Sequence, residues 1–116
     1  MTEERRRYIR VPVTLSIRFQ AMEDFSEFIQ ANVCNLSRGG LFIRTAVSKP
    51  VGSMVLIQIP DGAGDFHTIK GIVQCVISPE GGATHLEPGI GIEFVAVDAA
   101  LAQVIEAVIA RSRPDE

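Results

Sequence analysis

Four arginines stand within six residues near the start of the chain: Arg5, Arg6, Arg7 and Arg10. Asn35-Leu36-Ser37-Arg38-Gly39-Gly40 follows 25 residues after Arg10 and runs directly into Leu41-Phe42-Ile43. A guanidinium is a planar fork of donors that grips phosphate oxygens or the acceptor edge of a base. Asn and Ser side chains hydrogen-bond nearby backbone groups or a bound polar ligand. Glycine opens backbone conformations closed to other residues and lets a ligand come close. Taken alone, a dense arginine run is more often a solvated arm. Set beside the polar glycine turn, it has the chemistry of one anion-binding site.

The rest of the chain must hold that turn in place. A length of 116 residues suits one domain with one ordinary core. Apolar residues make up 47% and charged residues 22%, the balance of a globular protein rather than a disordered one. The net charge of −3 gives no general attraction to nucleic acid or to an anionic membrane; positive charge is local instead, with Arg5, Arg6, Arg7 and Arg10 crowded into residues 5–10. No apolar run reaches the roughly 20 residues that span a bilayer, so no membrane insertion is expected. Cys34 and Cys75, with no leader pattern, suggest free thiols in a reducing cytoplasm, although a disulfide between them stays open at this point.

Period-two alternation marks the strands. Val11, Val13, Leu15, Ile17 and Phe19 share one face of the first, which begins at an edge because Pro12 cannot donate to a ladder. Residues 20–26 read as a loop. Ile29, Ala31 and Val33 share a face of the second strand, and residues 41–44 follow the glycine turn so closely that the two form a tight antiparallel pair. Residues 54–59, 67–77 and 90–94 read as three more strands, separated by stretches rich in Gly and Pro. On the fifth, Ile69, Gly71, Val73, Cys75 and Ile77 are expected on one face, with Gly71 at a bulge or bend. After Asp98, a plausible N-cap, the period changes. Leu101, Val104, Ile105, Val108 and Ile109 form one face of a helix that ends before Pro114. That stripe is expected to cover the sheet rather than another subunit. Six strands with no helix between them predict an all-β fold, an antiparallel barrel closed to hide its edges, with a C-terminal helix.

Other chemistry finds little support. Cys34, Cys75, His67 and His85 match no common zinc spacing, so no metal is expected. Neither cysteine is marked as an activated nucleophile. Asp61, Asp65 and Glu93 read as scattered, solvated carboxylates. The glycines at 62, 64, 81 and 82 are loop punctuation with no phosphate-loop sequence after them. The chain is therefore not expected to be an enzyme.

Arg6-Arg7-Tyr8-Ile9-Arg10 resembles the RxxxR signature of PilZ domains, and Asn35-Leu36-Ser37-Arg38-Gly39-Gly40 resembles their (D/N)xSxxG signature. The strand from Gly89 to Phe94 is similar to the family's last strand. Each motif alone occurs often by chance, but their order and spacing around a strand pair make the resemblance specific, and it covers nearly the whole chain. The run from Pro88 to Phe94 and the short layout are also similar to stand-alone members of the myxobacterial and deltaproteobacterial type.

The resemblance implies a six-stranded antiparallel barrel that binds cyclic di-GMP, with residues 1–10 a flexible arm and 11–113 the barrel with its helix. Carried across, Arg6 and Arg10 contact guanine and phosphate, and Asn35 and Ser37 hydrogen-bond the ligand from the barrel. Gly39 and Gly40 belong to the same site, Gly40 allowing close approach. Arg5, just before the first motif arginine, suits two stacked ligand molecules per domain. Asn35 stands where Asp is commoner and removes a negative charge beside a dianionic ligand. No cofactor is implied beyond the ligand. A receptor this small acts on a separate effector protein, as monomer or homodimer; motility, surface attachment and biofilm polysaccharide are the family's typical outputs. An adaptor with the same fold that works by protein contact, without the nucleotide, is the alternative reading.

Overall fold

The computed structural model describes residues 11–22, 28–45, 49–77 and 88–112. Six strands, β1 (Val11–Ala21), β2 (Ile29–Leu36), β3 (Gly40–Arg44), β4 (Met54–Pro60), β5 (Phe66–Ile77) and β6 (Gly89–Val95), close into an antiparallel barrel in the order β1-β2-β3-β6-β5-β4. Closure comes from the far end of β1, where Arg18–Ala21 pairs with residues 55–58 of β4. Gln20 and Ala21, expected in a loop, are strand residues because Leu56 and Val55 pair with them. Pro12 lies at the other end of β1, opposite Asn35 of β2 and away from the rungs shared with β4. Its missing N–H leaves that closing ladder intact.

Alternation fills the barrel. Ile17, Phe19, Val33, Ile43, Ile57, Ile59, Ile69, Val73, Ile90 and Ile92 are buried in one cluster. Branched side chains suit such a pleated, curved surface. The alternation breaks at three register shifts, between Pro12 and Leu15, between Val33 and Asn35, and between Val73 and Cys75. The shift at Gln74 overturns the expectation for Cys75. A one-residue slip turns every later side chain over, so Cys75 is exposed on the outer face and not on the core face with Val73. Gly71 is not a bulge; it pairs in register with Val55 and Phe94. Its role is room, since a Cβ there would meet Ile92 Cγ2 at 2.4 Å.

Ala96, at φ 60°, turns the chain out of β6 toward the helix α1 (Ala99–Ser112). Asp98 caps it: its carboxylate accepts from Leu101 N at 2.8 Å. Ile105, Val108 and Ile109 are buried in the barrel's own core cluster, and Leu101 and Val104 pack against it. The apolar stripe is thus covered within the chain. None of the described helices is long and apolar enough to cross a membrane.

Candidate functional site

Residues 37–39 join β2 to β3, and Ser37 organises that turn. Its N–H donates to Gly40 O at 2.8 Å. Its hydroxyl accepts from Gly39 N at 3.0 Å and Gly40 N at 3.2 Å, and donates to Gly40 O at 3.3 Å. At 3% exposure, Ser37 meets its hydrogen-bonding needs inside the turn. The turn is also clamped to β6, since Phe94 N donates to Gly39 O at 2.8 Å. A Cβ on Gly40 would stand 2.2 Å from Ile92 O, so the close approach made there is that of the β6 backbone. Asn35 is half-buried between Pro12 of β1 and Phe42 of β3.

The structure brings Asn35, Ser37, Gly39 and Gly40 together at one end of the β2–β3 pair. Arg5, Arg6 and Arg10 lie outside the described residues, as does His85. What is described is the start of the segment that follows Arg10: Val11 pairs with Leu36, and Pro12 with Asn35. The chain therefore enters the barrel beside the glycine turn, one residue after Arg10.

Arg38, at the tip of the turn, pairs with Glu106 of α1 at 3.2 Å. Both side chains are about half exposed, so this contact contributes at most about 1 kcal/mol. Five residues on, Arg111 donates to Pro60 O at 3.3 Å, so α1 touches both the motif turn and the β4–β5 loop. In that loop Asp61 is more than the solvated carboxylate expected. It accepts from Ala63 N at 2.8 Å and Asp65 N at 3.2 Å and meets His67 Nε2 at 3.0 Å. The backbone bond from Ala63, then the His67 contact, hold its carboxyl below the ordinary value of 3.8. Among the described residues no cluster of His, Cys, Asp and Glu could hold a metal.

A cavity of about 470 Å³ lies between β1, β2 and β3, lined by Val13, Leu15, Ser16, Asn32, Val33, Cys34 and Arg44. Two of the register shifts lie beside it, between Pro12 and Leu15 and between Val33 and Asn35. Ser16 Oγ donates to Asn32 Oδ1 at 2.9 Å on its rim, and Asn32 stands opposite Arg44 across the β2–β3 pair. Alternation already marked Asn32 as outward-facing; its meeting with Arg44 needed the register.

The family model for the PilZ domain matches residues 4–111, and the chain belongs to that family. No curated protein sequence matches it. Among solved structures it is similar to the PilZ domain with c-di-GMP of YcgR from Escherichia coli, at 17% identity and TM-score 0.70, covering 93% of this chain and 91% of that one. It is also similar to the Bacillus subtilis inhibitor of motility MotI/DgrA, at 20% identity and TM-score 0.69, covering 92% of this chain and 50% of that one. A third likeness is the K. pneumonia MrkH–c-di-GMP complex, at 15% identity and TM-score 0.66, covering 91% and 50%. The chain thus spans half the length of MotI/DgrA and of MrkH. At these identities the likenesses establish the fold: the closed six-stranded barrel with its C-terminal helix is the PilZ fold.

Proposed function

We propose that this protein is a cyclic di-GMP receptor in the cytoplasm, not an enzyme. It passes the level of the second messenger to a separate effector protein. The ligand rests against the turn from Asn35 to Gly40, and the segment carrying Arg5, Arg6 and Arg10 closes over it. The single observation that carries the reading is the pairing of Val11 with Leu36, which sets the root of the arginine segment beside the motif turn. The chemistry supports it: two arginine forks match two phosphates and the acceptor edges of two guanines. Two solved neighbours, YcgR and MrkH, are c-di-GMP complexes, and a third is an inhibitor of motility. Control of motility is therefore the first output to examine.

Titration calorimetry with cyclic di-GMP, against GTP and cyclic di-AMP, tests the reading. Saturable heat with cyclic di-GMP alone, lost in Arg6→Ala and Arg10→Ala, is expected. The titration also gives the stoichiometry, for which Arg5 predicts two. Silence from the folded protein with all three nucleotides overturns the receptor reading and favours an adaptor that works by protein contact.

A further inference from the structure

The cavity between β1, β2 and β3 presents a mainly polar lining. Val13 and Val33 are buried beneath it, while Ser16, Asn32 and Arg44 stand exposed at its edge. A small-molecule site commonly carries a few convergent polar groups. Its place is as informative as its lining. Asn32 precedes Asn35 by three residues on β2, about 10 Å along an extended strand. The cavity also borders Val13, two residues into the strand that begins beside the motif turn. A ligand carrying two bases on one ring can touch the turn with one part and the cavity with another.

We propose that this cavity seats one guanine of the cyclic dinucleotide and that Arg44 reads its acceptor edge; this rests on the receptor reading above. The chemistry selects the base. The Ser16 hydroxyl occupies Asn32 Oδ1, which turns the amide N–H donors away from Ser16. Arg44 carries only donors. Guanine presents two acceptors, O6 and N7, on one edge, whereas adenine presents a donor beside N7. The Arg44 fork therefore favours guanine over adenine, while Ser16, its hydrogen given to Asn32, offers the rim only acceptor lone pairs.

Calorimetric titration of the wild type, Arg44→Ala, Arg44→Lys and Asn32→Ala with cyclic di-GMP and cyclic di-AMP tests this. Both positions are exposed, and circular dichroism confirms that each variant is folded. Arg44→Ala is expected to weaken cyclic di-GMP binding about 5- to 150-fold. The loss for cyclic di-AMP is smaller, so the preference between the two narrows. Arg44→Lys keeps the charge but loses the fork, and recovers only part of the affinity. Asn32→Ala weakens cyclic di-GMP in the same direction. If the wild type binds cyclic di-GMP and folded Arg44→Ala and Asn32→Ala keep its affinity and preference, the cavity assignment is overturned and the receptor reading stands. If the wild type binds neither nucleotide, both fall together.

Discussion

Ser37 and Gly40 hold each other through both backbone and side chain: the Ser37 N–H and hydroxyl both donate to the Gly40 carbonyl, and the hydroxyl accepts from the Gly40 N–H. The serine of the motif thus shapes the turn from within. Ser37→Ala strands the N–H groups of Gly39 and Gly40 and is expected to cost about 1–3 kcal/mol of stability. Chemical denaturation of the wild type and of Ser37→Ala measures this.

Gly40 is fixed by its neighbour. A methyl at that position would stand 2.2 Å from a backbone oxygen of β6, and backbone cannot swing aside as a side-chain tip can. Gly40→Ala is expected to destabilise by about 1–3 kcal/mol, toward the upper end of that range for overpacking. A thermal melt reads it directly. A melt within a degree of the wild type would show that β3 and β6 separate at little cost.

Strand faces were legible where alternation ran unbroken. Ile17 and Phe19 in β1, and Ala31 and Val33 in β2, are buried as the period-two pattern demands. The helix was legible too, since five apolar residues at helical spacing followed a capping Asp98. The bulges were not. Nothing in Val73-Gln74-Cys75-Val76 announces a register shift, and one slip reverses every later residue, which is why Cys75 was assigned to the wrong face. Strand order was also hidden, because β3 meets β6 and β1 meets β4 through contacts distant in sequence. At the site, motif spacing marked Asn35 and Ser37 but not the internal bonding of Ser37. The cavity lies beside two register shifts and a cross-strand pair, none of which has a local signature.

The helix is part of the core. Ile105 is fully buried beneath the barrel's own apolar side chains. Ile105→Ala is expected to cost about 2–5 kcal/mol. Exposed Gln103→Ala, on the opposite side of the helix, is expected to change stability by less than about 0.5 kcal/mol. Equal effects from the two in a denaturant titration would mean that the helix does not seal the barrel.

Asp61 supplies a pH test. Its folded pKa is depressed below 3.8, so the ionised form is favoured by folding. The stability this contributes is present above the unfolded value and is lost as pH falls through the folded one. The gap in melting temperature between the wild type and Asp61→Ala is therefore expected to narrow below about pH 4. A gap that stays open once the carboxyl is protonated would contradict the assignment of the bonds from Ala63 and His67.

The central claim is the place of the ligand: the turn from Asn35 to Gly40, where β1 begins. Amide chemical shifts of the ¹⁵N-labelled protein, followed as cyclic di-GMP is added, test it most directly. The account predicts that the largest changes fall on residues 35–40 and on Val11 and Val13, while amides around Asp61 in the β4–β5 loop stay nearly still. Saturating nucleotide that leaves residues 35–40 unmoved, or that shifts the Asp61 loop instead, would contradict it.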